Sequence, residues 1–413
     1  MKKYFFMSAI AATMLCACTN DSDEVMSVGA SQNGENGLVP IELSVKTPVK
    51  IITRGTGTVG DLTANAENNV WRGETLYFNM FMKKNLAEES VLELSTWQKI
   101  EGESEPVDVV NFDNVPLSVT SDGISEVANV VWADSKYYPQ DKTRHDFFAY
   151  RIDDAATELV DGKPVLNDEL DADGEVKLQK SVKFQINGTQ DLMVGQADPA
   201  ASETSYSANS ARAGVKPRID MKHLLSRFTF EVVAGDATAD GLVVKKIEVV
   251  SKKSGKMIVA WNPEQAPGAA ENMIIWDESA DNKDVFTLMQ RPNVAGELQY
   301  NTQLEEMSPA TLAWDATDGA TQVTQTVGEA LMVSPGQEKY DIFITTDQTL
   351  VGGEVNTTRY QSEINVASTN GGPAIAGTSY KVKVTLYGQS KIELTTSLTG
   401  WNSGTDIPVD TAN

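Results

Sequence analysis

Cysteine and histidine are almost missing from this chain. Of 413 residues two are cysteine and two histidine, and both cysteines, Cys16 and Cys18, fall at the very start. Everything after them is therefore without disulfides, thiolate nucleophiles or cysteine zinc cages. His145 and His223 head no HExxH, no CxxC is present, and no serine sits in GxSxG. Basic residues are also short, 34 Lys+Arg against 58 Asp+Glu for a net charge of −24, which sets the chain against nucleic acid. Long apolar runs are absent after the N-terminus, where nothing approaches the roughly 18 to 20 residues of a spanning helix. The inventory points to a binding or structural protein without a cofactor rather than an enzyme. With 41% hydrophobic and 22% charged residues the chain is globular in composition, and its length suits two domains.

The N-terminus has the order of a secretory signal. Lys2 and Lys3 precede the apolar YFFMSAIAATML, and Leu15-Cys16-Ala17-Cys18 closes it. Small Ala17 before Cys18, with Leu15 three positions ahead, resembles a bacterial lipobox. Residues 1–18 then read as a lipoprotein signal peptide, with Cys18 as the acylated residue and an outer-membrane anchor. Cys16 fits less well, because bulky Leu15 would fill the small-residue subsite. Residues 19–37, rich in Asn, Ser, Gly and acids, read as a flexible tether. Asp21, Asp23 and Glu24 resemble the signal that sends Bacteroidetes lipoproteins to the outer face of the outer membrane.

From residue 38 the period is two. Ile41, Leu43 and Val45 alternate with Glu42, Ser44 and Lys46, and the same alternation recurs at Leu76/Phe78/Met80, Val182/Phe184/Ile186 and Val382/Val384/Leu386. ANVVW, HDFFAY, RFTFEVV and VVKKIEVV add further β-rich runs, and helical periodicity is lacking. The fold class is all-β, antiparallel sheets packed as two sandwiches. Residues 197–217, poor in large apolar side chains, suggest the division: an N-terminal sandwich over 38–212 and a C-terminal one over 213–413.

Other constellations reduce to structure. Gly55, Gly57 and Gly60 fit GxGxxG, but no amphipathic helix follows, so they read as an exposed loop. Glu169, Asp171, Asp173 and Gly174 imitate the start of a calcium loop whose twelfth position is Lys180 instead of Glu; a solvated acidic loop fits better. His145 and His223 read as packing histidines, and the seven tryptophans as mainly core residues.

Several segments together resemble the fimbrillin family of Bacteroidetes, in particular its Mfa-like fimbrial lipoproteins. They are LCAC, ITRGT at 52–56, YYP and DFFAY within 137–150, QDLMVG at 190–195, DMKHLLSRFTFEV at 220–232, GTSYKVKVTL at 377–386 and LTGW at 398–401. The resemblance implies two tandem transthyretin-like β-sandwiches and a subunit of adhesive surface fimbriae. It further implies that an Arg-specific surface protease removes the first strand, 38–54, together with the lipid. A strand from another fimbrial subunit then fills the groove. Arg54-Gly55 stands between the β run and the glycine loop and is the candidate cleavage bond; Ile41, Leu43 and Val45 form the apolar face of the displaced strand.

One departure concerns donation. After Trp401 only Ile407 and Val409 alternate, interrupted by Pro408, which removes a ladder donor. That favours a tip or accessory role, facing a host or bacterial surface ligand, over the stalk. The other reading is a permanently anchored surface lipoprotein that binds glycan or peptide.

Overall fold

The structure, a computed structural model, describes residues 37–47, 71–83, 96–98, 102–104, 107–109, 112–122, 125–139, 144–153, 157–170, 173–174, 176–198, 206–261, 267–268, 270–294, 297–298, 304–315, 317, 322–388 and 391–399. In chain order the principal strands are β1 (Ser44–Lys46), β2 (Arg72–Lys83), β3 (Val115–Thr120), β4 (Val127–Asn129), β5 (Arg144–Ile152), β6 (Asn167–Leu170), β7 (Val176–Gln185), β8 (Leu192–Ala197) and β9 (Arg218–His223). They continue with β10 (Ser226–Ala234), β11 (Val243–Lys252), β12 (Ser254–Trp261), β13 (Ile274–Trp276), β14 (Lys283–Thr287), β15 (Gln325–Val333), β16 (Lys339–Thr349), β17 (Val355–Asn365), β18 (Ser379–Tyr387) and β19 (Lys391–Thr399).

The all-β reading holds, and the strands form a seven-stranded sheet in the order β3-β2-β5-β8-β9-β1-β4 and three smaller sheets, β6-β7-β12-β13, β15-β10-β18-β19 and β14-β11-β16-β17. The seven-stranded sheet curls, so that its two edge strands, β3 and β4, come close to each other. Two pairings depart from the antiparallel expectation: β1 runs parallel to β9, and β10 parallel to β18. Parallel neighbours need a crossover, and here long stretches of chain supply it.

Alternation explains the layering. In β5, Phe147 and Ala149 enter one apolar cluster inside the curled sheet, while Phe148 and Tyr150 enter a second cluster on its other face. The second cluster also holds Val182 and Phe184 of β7, Trp261 of β12, Phe228 and Phe230 of β10, and Tyr340 and Ile342 of β16. Phe148 meets Trp261 edge-on at 4.8 Å, and Phe228 meets Tyr340 at 4.9 Å, the geometry ring quadrupoles favour.

Strand pairing crosses the division expected at 212–213. β7 pairs with β12 from the second half, and β9, which begins at Arg218, completes the first sheet. The segment 197–217 looked like a linker because it is poor in large apolar residues. Its residues 208–212 instead form a short helix, opened by a capping box between Ser207 and Ser210, and Tyr206 and Ala208 are buried in the first core.

Candidate assembly site

The first described segment, residues 37–47, is a ribbon laid into the curled sheet. Leu38 is buried, and from Val39 onward the side chains obey the period of two: Val39, Ile41, Leu43, Val45 and Thr47 are buried, whereas Glu42 is exposed and Pro40, Ser44 and Lys46 are half-buried. The row Ile41, Leu43 and Val45 predicted from the sequence is brought together, at 1%, 3% and 0% exposure, in one cluster with Trp71, Phe78, Phe112, Tyr138 and Phe147. Val39, at 4%, extends that row. Burying four such side chains is worth roughly 6–12 kcal/mol as an upper estimate.

Backbone bonds hold the ribbon on both sides. Toward β9, Ser44, Val45 and Lys46 lie opposite Arg218, Ile219 and Asp220, and the Ser44 N–H donates to the Pro217 carbonyl at 3.1 Å. Toward β4, the same residues lie opposite Asn129, Ala128 and Val127. The Thr47 N–H donates to the Glu126 carbonyl at 2.9 Å, the Val130 N–H to Leu43 at 2.8 Å, the Ile41 N–H to Lys136 at 2.8 Å and the Tyr138 N–H to Val39 at 2.9 Å. The Trp132 indole N–H donates to the Ile41 carbonyl at 2.7 Å, and its ring packs edge-on against Phe78 and Phe112. On the outer face Lys216 pairs with Glu42 at 2.5 Å, a half-exposed contact of small energetic weight.

The slot disfavours charge. Burial pushes the Tyr138 phenol far above its ordinary range and draws the Lys136 ammonium down, the latter partly opposed by Asp134. The ribbon is held there by apolar side chains on alternate positions and by main-chain hydrogen bonds.

Pro40 occupies this ribbon at an isolated bridge opposite Tyr137. The donors on either side are Ile41 and Tyr138, so the missing N–H of Pro40 leaves this part of the ladder intact. ANVVW at 128–132 was read as a β run, but neither wall of the slot, 217–220 or 126–138, was expected from the sequence to pair with the ribbon. The only signal for the first was the alternation of Ile219, Met221 and His223. Cys18, Arg54 and Gly55 lie outside the described residues.

The remaining candidates are structural. Both histidines are buried, and His223 Nδ1 lies 2.7 Å from Asp191 Oδ2. Nearby Arg227 is fully buried and its guanidinium falls to about 10 through burial, opposed by Asp191 and Glu329. Glu169 is buried against Lys256 at 3.1 Å and bonds Ser181, so it is engaged as an ion-pair partner. Among the described residues no group of three or more His, Cys, Asp or Glu is arranged to hold a metal ion, and no helix is long and apolar enough to cross a membrane.

Sheets joined through shared cores, with a leading strand seated in a slot, define an all-β protein whose chemistry lies in strand packing. The chain belongs to the fimbrillin-like family, whose profile matches residues 85–401. That membership supports a role as a fimbrial subunit at the cell surface. Among solved structures it is similar to a putative cell adhesion protein from Bacteroides uniformis, at 13% identity and a TM-score of 0.39 over 89% of this chain and 100% of the other. It is also similar to a fimbrial protein from Bacteroides vulgatus, at 12% identity and 0.42 over 87% and 99%. A third is the fimbrial anchor protein Mfa2 from Porphyromonas gingivalis, at 11% identity and 0.30 over 87% and 98%. No curated protein matches the chain.

Proposed function

We propose that this chain is a fimbrial subunit exported as a lipoprotein acylated at Cys18, whose opening ribbon holds the assembly slot shut until an Arg-specific protease cuts at Arg54-Gly55. The lipid and the ribbon then leave together, and a strand from another subunit takes the slot. The observation that carries the reading is the ribbon itself: the earliest described strand of the chain is an interior strand of the curled sheet, with an apolar row buried along one side. A resident strand removable by one cut on its C-terminal side is a placeholder in both connectivity and chemistry.

Pro408 does not count against donation by a second copy of this chain. Ile407-Pro408-Val409-Asp410 repeats in kind Val39-Pro40-Ile41-Glu42: β-branched, proline, β-branched, acid. The resident sequence accommodates its proline at that place without losing a ladder donor, so a stalk role is compatible with the slot.

The test is the N-terminal residue of the protein recovered from the cell surface. A start at Gly55 is expected, and Arg54→Ala is expected to leave an uncut, lipid-bearing monomer. A start at Cys18 in assembled material, or normal fibre entry by Arg54→Ala, would overturn the reading. A permanently anchored glycan- or peptide-binding lipoprotein would then be the better account.

A further inference from the structure

The two walls of the slot are supported unequally. β9 has β8 on its far side, with Met221 opposite Gly195 and Ile219 opposite Ala197, so it keeps a full strand partner if the ribbon departs. β4 has none, because the sheet ends there. From Glu126 to Tyr138, every backbone–backbone hydrogen bond defined to another segment of the described chain goes to the ribbon: at Thr47, at Leu43, at Ile41, at Val39 and along the β1–β4 pairing. Even the side-chain bond of Trp132 ends on a ribbon carbonyl. β3 lies near β4 without pairing to it, and the connection between them carries a turn in which the Ser125 N–H donates to Asp122 Oδ1.

We propose that residues 125–139 form a flap, hinged where the Ser125 N–H donates to Asp122 Oδ1 and latched by the ribbon, which opens when the ribbon leaves and folds back over the strand that replaces it. The inference rests on the reading that the ribbon is exchanged, and it adds how the site is regulated. The vacated acceptor is then a shelf along β9 rather than a preformed groove, and its second wall forms with the occupant. Part of the binding energy of an incoming strand goes into ordering the flap. A poorly matched strand, unable to supply carbonyls where Val39, Ile41 and Leu43 supply them, would fail to recruit it. Selectivity for the correct strand follows, since flap and strand must be satisfied together.

Hydrogen exchange on the intact, uncut chain tests the coupling. Peptides covering 38–47 and 126–139 are expected to exchange through one common opening, at lower protection than β5 and β8. Leu43→Ala should speed both by roughly a hundredfold, the effect of deleting a well-buried leucine on an opening equilibrium. Trp132→Phe, a milder change made from the flap side, should speed both as well, the ribbon included. Val194→Ala on β8, whose side chain enters the second cluster on the other face of the sheet, should leave both unchanged, because it alters global unfolding and not the local opening. Acceleration of the ribbon with undiminished protection of 126–139, or exchange of both segments only together with β5 and β8, would overturn the flap. The measurement involves neither cleavage nor a second subunit. A chain never cut at Arg54 would therefore sink the assembly reading and leave this result standing, whereas independent exchange of the two segments would sink the flap whatever the protease does.

Discussion

The strands of the C-terminal half and those around the leading ribbon are held by different means. β16 and β17 pair residue for residue along eleven positions, and β10 lies between β15 and β18 with Phe228, Phe230 and Val232 fully buried. β1 is assigned over three residues, and its neighbour β4 pairs with no other strand among the described residues. The apolar row of the ribbon is nevertheless nearly as buried as that of β10. Burial and ladder length are thus separable: the first fixes a strand while it is present, and the second decides whether its neighbours stand without it. The ribbon is held by a short ladder on each side and by a buried apolar row, and β4 depends on it for pairing.

The comparison can be broken at three places. The largest effect is expected from Phe228→Ala, since its ring is fully buried against Tyr340 and Tyr380. The loss should be about 3–5 kcal/mol. Urea denaturation should show it as a shifted midpoint for the whole chain, because the cluster holding Phe228 also holds Phe148 and Tyr150 of the first sheet. A shift confined to the C-terminal strands would mean that the shared core does not couple the halves.

A smaller, local effect is expected from Gly195→Ala on β8. An added Cβ would come within 2.7 Å of the Asp220 carbonyl and of Ile219 Cγ2, forcing β9 away from β8. The cost should be about 1–3 kcal/mol. Since β9 pairs with the ribbon, exchange at 38–47 should rise more than exchange at β16. Equal change at both sites would contradict the separation drawn above.

The smallest effect concerns charge on the C-terminal sheet. Burial raises the Glu248 carboxyl, but hydrogen bonds from Lys246 and Arg359 outweigh it and hold the group below the usual carboxylate range. A carboxyl depressed in the folded state contributes stability at pH values above its unfolded pKa, and that contribution is lost as pH falls through the folded value. The Tm advantage of the wild type over Glu248→Gln should therefore be present at neutral pH and disappear under acid. An advantage that persists unchanged at low pH would assign it to packing instead.

Much of the ribbon was legible in advance. Alternation at Ile41, Leu43 and Val45 announces a strand with one buried face, and all three are buried in a single cluster. What faces them was not legible, because pairing with 217–220 and 126–130 joins residues far apart in the chain and leaves no local mark. ANVVW reads as one β run, yet the strand ends at Asn129, Val131 is exposed and Trp132 turns back to the ribbon. Pro408 looked unfavourable for a donated strand. Only the placement of Pro40 shows that one position of this slot tolerates proline. The polar stretch at 197–217 looked like a boundary, because composition registers the shortage of large side chains but not a capped helix.

Composition and period determined that this protein is all-β, acidic and poor in cysteine and histidine, since those properties follow from which side chains are present and how they repeat. The tertiary structure alone decided that its leading segment is an interior strand, that one wall of the slot depends on it, and that the sheets interlock across the middle of the chain. Those outcomes depend on which distant strands satisfy one another's hydrogen bonds and bury one another's faces, and no local pattern carries that information.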